Sequence, residues 1–197
     1  GKSFMRMKWY ISCMFLAFGV VPVVSGLEGA PPHRLDSDDW CRQRNWGDDR
    51  EGVSEIQELT FPSSGSLTVD ASPNGGIKVG GAPRYDIQMN ACVVATATTE
   101  DRARQIASAV RIQPEGDRIA AEGPSGLGRR EGWHVSYQLS VPTQTNLSLK
   151  STNGGVSIRD VEGRLEFTTT NGGVRLANVG GDVRGRTTNG GVDIELD

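Results

Sequence analysis

The sequence predicts an all-β fold, a single-stranded β-solenoid with about 18 residues per coil and one inserted amphipathic α-helix. Nearly the same six letters, "STNGGV" and twice "TTNGGV", recur 18 residues apart in the last third of the chain. The chain contains 26 Gly and only 6% aromatic residues. Apolar and polar residues alternate at a period of two in many short segments, which is typical of half-buried strands.

Residues 1–26 have the features of a secretory signal peptide. Basic residues open the segment, "WYISCMFLAFGVVPVV" is an apolar run, and the small residues "SG" end it. An uncleaved membrane anchor is the alternative. The run from Trp9 to Gly26 is 18 residues, which is short for a membrane span, and Pro22 followed by small residues favours cleavage. The segment therefore predicts export to the periplasm or the extracellular space.

Residues 27–54 are rich in Pro, Gly and charge and are predicted to be an irregular linker before a domain at 55–197. Cys41 in this linker and Cys92 in the domain are expected to form a disulfide, since the protein is predicted to be exported. Closing a loop of about 50 residues would stabilise the fold by roughly 4 kcal/mol in the chain-entropy model. Trp40 and Trp46 are interpreted as aromatic cover over this disulfide, with the lining of a ligand groove as the alternative.

One helix and one hairpin are predicted before the repeats. In "TTEDRARQIASAVRI", Thr99 can cap the first turn, and apolar residues follow at i, i+3, i+4 and i+7, which predicts a helix over about 99–111. The turn composition of "QPEGDR" predicts a hairpin from Arg111 to Glu122.

The repeats at 151–197 divide into nine-residue units with glycine at the second position, and two units make one coil. The glycine predicts a turn that needs unusual φ, and the V-x-I alternation after it predicts a short strand. Asparagines 18 residues apart are expected to stack about 4.8 Å apart as an amide ladder. The predicted turn and ladder residues are Asn153, Gly154, Gly155, Asn171, Gly172, Gly173, Asn189, Gly190 and Gly191.

The predicted stacking can be tested by the charges on outward positions. Residues 18 apart have opposite charges in three columns, which supports the predicted register of the coils. The pairs are expected to add little to the stability of the fold, because they are exposed to solvent. The three pairs are Arg164 over Asp182, Glu166 over Arg184 and Arg175 over Asp193.

The composition excludes several classes of function. The formal net charge is −3, and about −6 without the three basic residues of 1–26 (18 Lys+Arg against 24 Asp+Glu), so nucleic acid and anionic membrane surfaces are not expected partners. His33 and His134 are the two histidines, and the motifs of zinc and EF-hand calcium sites are absent from the sequence. We therefore assign no catalytic, cofactor-binding or metal-binding residue.

The order of motifs resembles a known family. "LTVDASPNGGIKV", a cysteine-bearing strand, the helical segment, and then NGG repeats with "GDVRGRTTNGGV" resemble the bacterial "putative adhesin" family of unknown function, whose members are similar to head domains called GIN. The resemblance covers roughly residues 55–197. It implies a right-handed, exported single-stranded β-solenoid on a bacterial envelope, and it supplies no catalytic residues. Because Asp197 directly follows an unfinished repeat, we expect further coils in the full-length protein or a truncated product.

These observations predict a non-enzymatic envelope protein, a scaffold or binding module of the adhesin type that presents a stacked β surface to a protein or glycan. The mature domain is not expected to span a membrane. An envelope-stress or regulatory accessory protein is the alternative. A polysaccharide-acting enzyme ranks lower, because the outward charges pair by sign and no two carboxylates are set apart as an acid/base couple.

Overall fold

A computed structural model describes residues 38–41 and 50–195. The predicted signal peptide at 1–26 and Trp46 lie outside the described residues. The described chain is mostly β strand with one α-helix, so the predicted all-β class is confirmed. No helix in 38–41 or 50–195 has the length and apolar character that a membrane span requires.

The described part contains thirteen strands, one α-helix and one short 3₁₀ turn, η1 at Asp38–Cys41. The strands are β1 Glu51–Pro62, β2 Ser66–Asp70, β3 Ile77–Ala82, β4 Asp86–Ala97, β5 Arg111–Ile112, β6 Arg118–Glu122, β7 Gly132–Pro142, β8 Asn146–Lys150, β9 Val156–Arg159, β10 Glu162–Thr169, β11 Val174–Ala177, β12 Gly180–Thr187 and β13 Val192–Glu195. The helix is α1 Glu100–Ala109. Strand β1 begins inside the segment predicted to be linker, four residues before the predicted start of the domain at 55.

The strands form two sheets with one shared apolar core. The seven-stranded sheet has the order β1-β4-β7-β3-β9-β11-β13, and the six-stranded sheet has the order β12-β10-β8-β2-β6-β5. Strands β3, β9, β11 and β13 pair in parallel, but β4 pairs antiparallel with both β1 and β7. The sheets are therefore mixed, and the prediction of a uniform single-stranded solenoid over 55–197 was too simple. Buried side chains from both sheets belong to one core cluster.

The 18-residue register of the repeats is present in both sheets. In the seven-stranded sheet Val156, Val174 and Val192 are successive Cα partners, and β8, β10 and β12 are paired with the same offset in the other sheet. All three predicted charge columns are in register. Their contacts differ, because Arg175 pairs with Asp193 at 3.4 Å, whereas Arg184 pairs with Asp182 of its own strand at 3.1 Å.

The predicted helix and hairpin are confirmed. Thr99 caps α1, and its Oγ1 accepts a hydrogen bond from the Arg102 backbone N–H at 3.3 Å. The buried face of α1 presents Ala103 and Ile106 to the core, as the apolar spacing predicts. Strands β5 and β6 pair antiparallel, with Arg111 opposite Glu122.

Two valines in one column should differ sharply in their contribution to stability. Val174 is 2% exposed and Val192 is 51% exposed. We expect Val174→Ala to lower the free energy of unfolding by about 2 kcal/mol, because it removes two buried methyl groups and leaves a cavity. We expect Val192→Ala to lower it by less than about 1 kcal/mol. Denaturant unfolding of both variants measures the difference, and equal losses would contradict it.

Candidate functional site

The predicted asparagines lie in one exposed column at a corner of the repeats. The Nδ2 atom of Asn171 donates to Asn153 Oδ1 at 2.7 Å, and that of Asn189 donates to Asn171 Oδ1 at 2.8 Å. Asn153 in turn donates to Asn74 Oδ1 at 2.8 Å, so the earlier "PNGG" segment contributes a fourth member. All three hydrogen bonds run in the same direction, and each links one coil to the next.

A second column, of hydroxyl groups, lies beside the asparagines. Each hydroxyl donates to the carbonyl oxygen of the first NGG glycine in the neighbouring coil. The pairs are Ser151 Oγ to Gly75 O at 2.7 Å, Thr169 Oγ1 to Gly154 O at 3.0 Å and Thr187 Oγ1 to Gly172 O at 2.9 Å. The glycine partners of Thr169 and Thr187 lie 15 residues away along the chain, so the 18-residue period of the sequence does not indicate them.

The first glycine of each NGG motif is required by backbone packing. A Cβ atom on Gly154, Gly172 or Gly190 would lie 2.1 Å from the carbonyl oxygen of the equivalent glycine in the preceding coil. The expectation that these glycines need unusual φ was wrong, because none of the three has positive φ. The same expectation is confirmed in the alternate nine-residue units, where the second-position glycines Gly163 (152°) and Gly181 (96°) have positive φ.

The second glycine of the motif has more room. A Cβ atom on Gly173 would lie 3.8 Å from the backbone oxygen of Gly191, and a Cβ atom on Gly191 would have no atom within 4 Å apart from those of its chain neighbours. The corresponding distances are 3.5 Å at Gly76 and 3.2 Å at Gly155, where the fit is tight. None of these four glycines has positive φ.

These second glycines lie at the floor of a groove of about 660 Å³ on the outer face of the seven-stranded sheet. The floor residues are Gly76, Gly155, Gly173 and Gly191. A row of polar side chains in register across β7, β3, β9, β11 and β13 runs beside the floor. Its members are Gln138, Lys78, Ser157, Arg175 and Asp193.

Trp40 lines the groove and also packs against the disulfide. Cys41 and Cys92 are bonded, as predicted, with their Cα atoms 5.5 Å apart, and both side chains are buried. Trp40 belongs to the small apolar cluster around them. The two interpretations of Trp40 from the sequence are therefore compatible. Its indole Nε1 is buried and has no hydrogen-bond partner.

A further corner of the repeats was not predicted from the sequence. Asp160 and Asn178 adopt positive φ, 57° and 47°, and Asn178 Nδ2 donates to Asp160 Oδ1 at 2.8 Å. Aspartate and asparagine are the residues that adopt this left-handed conformation most readily after glycine. Their 18-residue separation was the available signal, but the two positions carry different letters.

Replacing Thr169 by valine tests the hydroxyl column. The change keeps the β-branched shape but leaves the Gly154 carbonyl oxygen without its hydroxyl donor, so we expect a loss of about 1 to 3 kcal/mol in the free energy of unfolding. Thr168→Val is the matched control, because Thr168 is exposed in the same strand. Chemical denaturation gives both values. Similar stability of the two variants would show that the Thr169 hydroxyl contributes little.

Stability is also expected to depend on the protonation of His134 in β7. Burial lowers the pKa of His134 below its ordinary value of 6.5. The unfolded chain therefore binds a proton more readily, and this contribution to stability is full above pH 6.5 and decreases as the pH falls toward the lowered pKa. We expect His134→Gln to flatten the pH dependence of the unfolding midpoint between pH 7 and 5. An unchanged pH profile in this variant would contradict the expectation.

Comparisons with known proteins give structural likenesses only. No protein-family model matches the chain, and no curated protein matches it. A solved "putative cell adhesion protein" of Clostridium sporogenes is similar, with 10% identity and a TM-score of 0.42, over 75% of this chain and 100% of that one. A "putative lipid binding protein" of Parabacteroides distasonis has 12% identity and a TM-score of 0.39, over 73% of this chain and 60% of that one.

A "putative adhesin" of Parabacteroides merdae has 7% identity and a TM-score of 0.30, over 73% of this chain and 96% of that one. Two of the three solved proteins are thus described by their names as adhesins or adhesion proteins.

Proposed function

We propose that this chain is a non-enzymatic, exported envelope protein of the adhesin type that binds a partner through the groove on its seven-stranded sheet. The observation that carries the proposal is the groove itself. Equivalent positions of successive repeats form both its glycine floor and its polar row. A regular face of this kind presents one glycine and one polar side chain at each strand, about 4.8 Å apart.

The scaffold beneath this face is proposed to be a short β-solenoid. Strands β8 to β13 alternate between the two sheets, and their 18-residue register supports a coil of two strands. Strands β2 and β3 pair in parallel with β8 and β9 and act as an earlier coil. The antiparallel strands β1, β4 and β7 extend one sheet beyond the coils.

The disulfide supports the proposed location. Cys41 and Cys92 join the segment that carries Trp40 to the sheet, and such bonds form and persist in oxidising compartments. Export to the periplasm or the extracellular space follows from this chemistry together with the predicted signal peptide at 1–26.

The charges at the groove favour binding over hydrolysis. Asp193 is the one carboxylate among the described residues that line the groove, and its Oδ2 atom lies 3.4 Å from Arg175 Nε. Glycosidases need two carboxyl groups on either side of the scissile bond. A single carboxylate held by a guanidinium suits a fixed hydrogen-bonding position instead.

Binding measurements on the purified full chain test the proposed function. The chain is immobilised and exposed to a panel of purified envelope polysaccharides and extracellular matrix proteins, and bound mass is followed by interferometry. We expect saturable binding to at least one of them, with no release of reducing ends from any polysaccharide. The absence of binding across the panel, or turnover of a polysaccharide, would contradict the proposal.

A further inference from the structure

We propose that the groove binds an extended glycan chain, which lies across the strands, and that the second glycine of each NGG motif keeps the floor open for it. This inference rests on the proposed function and names the ligand class of the same site. The two adjacent glycines of each motif, which the sequence cannot distinguish, differ in the space around them.

The fold requires the first glycine of each motif, whereas at Gly173 and Gly191 it leaves room for a side chain on the second. A Cβ on Gly172 would lie 2.1 Å from a backbone carbonyl oxygen, whereas a Cβ on Gly173 makes an ordinary contact of 3.8 Å and a Cβ on Gly191 meets open space. Since neither Gly173 nor Gly191 has positive φ, their backbone conformation does not demand glycine either. Glycine nevertheless occupies this position in all four copies of the motif, from Gly76 onward.

A side chain at the second glycine would project into the groove. The residue after the second glycine, such as Val174 after Gly173, is buried in the core. Because successive residues of an extended chain face opposite sides of a sheet, the glycine itself faces outward. Any larger residue there would fill part of the 660 Å³. The repeated glycine therefore keeps the groove open. A ligand that contacts the sheet backbone closely would account for glycine at this position in every repeat.

The side chains along the floor suit a ligand with many hydroxyl groups. Ser157 offers a hydroxyl, Arg175 a guanidinium and Asp193 a carboxylate, and all three lie in one register row. Such a row both donates and accepts hydrogen bonds, as a sugar hydroxyl does. Trp40 adds an aromatic ring to the lining of the groove.

Other ligand classes fit this groove less well. A peptide strand joins a sheet through free backbone groups, but here the floor carbonyls are already bonded, for example Gly173 O to the Val156 backbone N–H at 3.0 Å and Gly191 O to that of Val174 at 2.9 Å. An acyl chain needs walls that exclude water, whereas a polar row borders this floor. The net charge of −3 disfavours nucleic acid.

The test compares bulky substitutions on the two sheets of the full chain. Gly173→Phe and Gly191→Phe place a ring in the groove, and Ser148→Phe places the same ring on an exposed position of the six-stranded sheet. Binding is measured by calorimetry with defined soluble polysaccharides, namely β-glucan, xylan, chitin oligosaccharides and peptidoglycan glycan strands. Unfolding midpoints identify any variant that is not folded, and Gly191→Phe replaces Gly173→Phe in that case.

We expect wild type to bind at least one of these polysaccharides, with affinity at least about tenfold lower in the groove variants and within about twofold of wild type in Ser148→Phe. Unchanged glycan affinity in a folded groove variant would overturn the inference. Binding to matrix proteins with no binding to any polysaccharide would overturn it too, but would leave the proposed function standing. Binding to nothing in either panel would remove the proposed function as well.

Discussion

Gly172→Ala is expected to lower the free energy of unfolding by at least about 3 kcal/mol, whereas Gly173→Ala stays within about 1 kcal/mol of wild type. The two residues are neighbours in one motif and undergo the same chemical change. At Gly172 the new methyl group would lie 2.1 Å from Gly154 O and 2.9 Å from Thr169 Oγ1, so the backbone of two coils must move apart. At Gly173 the methyl group makes a 3.8 Å contact with Gly191 O.

Denaturant unfolding of the two single variants measures this difference directly. The displacement at Gly172 should also weaken the hydrogen bond from Thr169 Oγ1 to Gly154 O, because the hydroxyl and the new methyl group compete for the same space. If the two alanine variants had equal stability, close contact between neighbouring coils could not be the reason for the first glycine.

Removal of the disulfide is expected to lower the free energy of unfolding by about 4 kcal/mol. The bond joins residues 51 apart in sequence, and the chain-entropy model assigns this value to a loop of that length. We expect the Cys41→Ala, Cys92→Ala double variant to unfold at a lower denaturant concentration than wild type. Addition of a reductant should shift the wild-type midpoint toward that of the variant and leave the variant itself unchanged.

The same variant should weaken ligand binding in the groove. Trp40 precedes Cys41 and lines the groove, so the bond to Cys92 holds the indole ring in place against the sheet. The loss of stability and the loss of binding are separable, because binding is measured under conditions where the variant is folded. A reductant-insensitive wild-type midpoint would contradict the stability prediction.

The sequence by itself determined the register of the repeats, the position of α1 and the pairing of the two cysteines. The 18-residue spacing of the NGG motifs predicted the register in which Val174 follows Val156, because stacked coils of equal length place equivalent residues side by side. The spacing of apolar residues after Thr99 predicted α1 for a similar reason, since helix periodicity is a property of the local chain. Cys41 and Cys92 are the two cysteines after residue 26, so one disulfide between them was the expected pairing.

Tertiary structure alone decided the mixed sheet, the groove and the different roles of the two glycines. The antiparallel pairing of β4 with β1 and β7 joins segments distant in sequence, and period-two alternation does not specify which strands become neighbours. Trp40 lies beside the groove because the next residue, Cys41, is bonded to Cys92 in β4. Gly172 and Gly173 are the same letter in sequence, but only Gly172 lies so close to the backbone of a neighbouring coil that a Cβ atom would clash with it. A repeat specifies which residues recur and not how closely their neighbours approach.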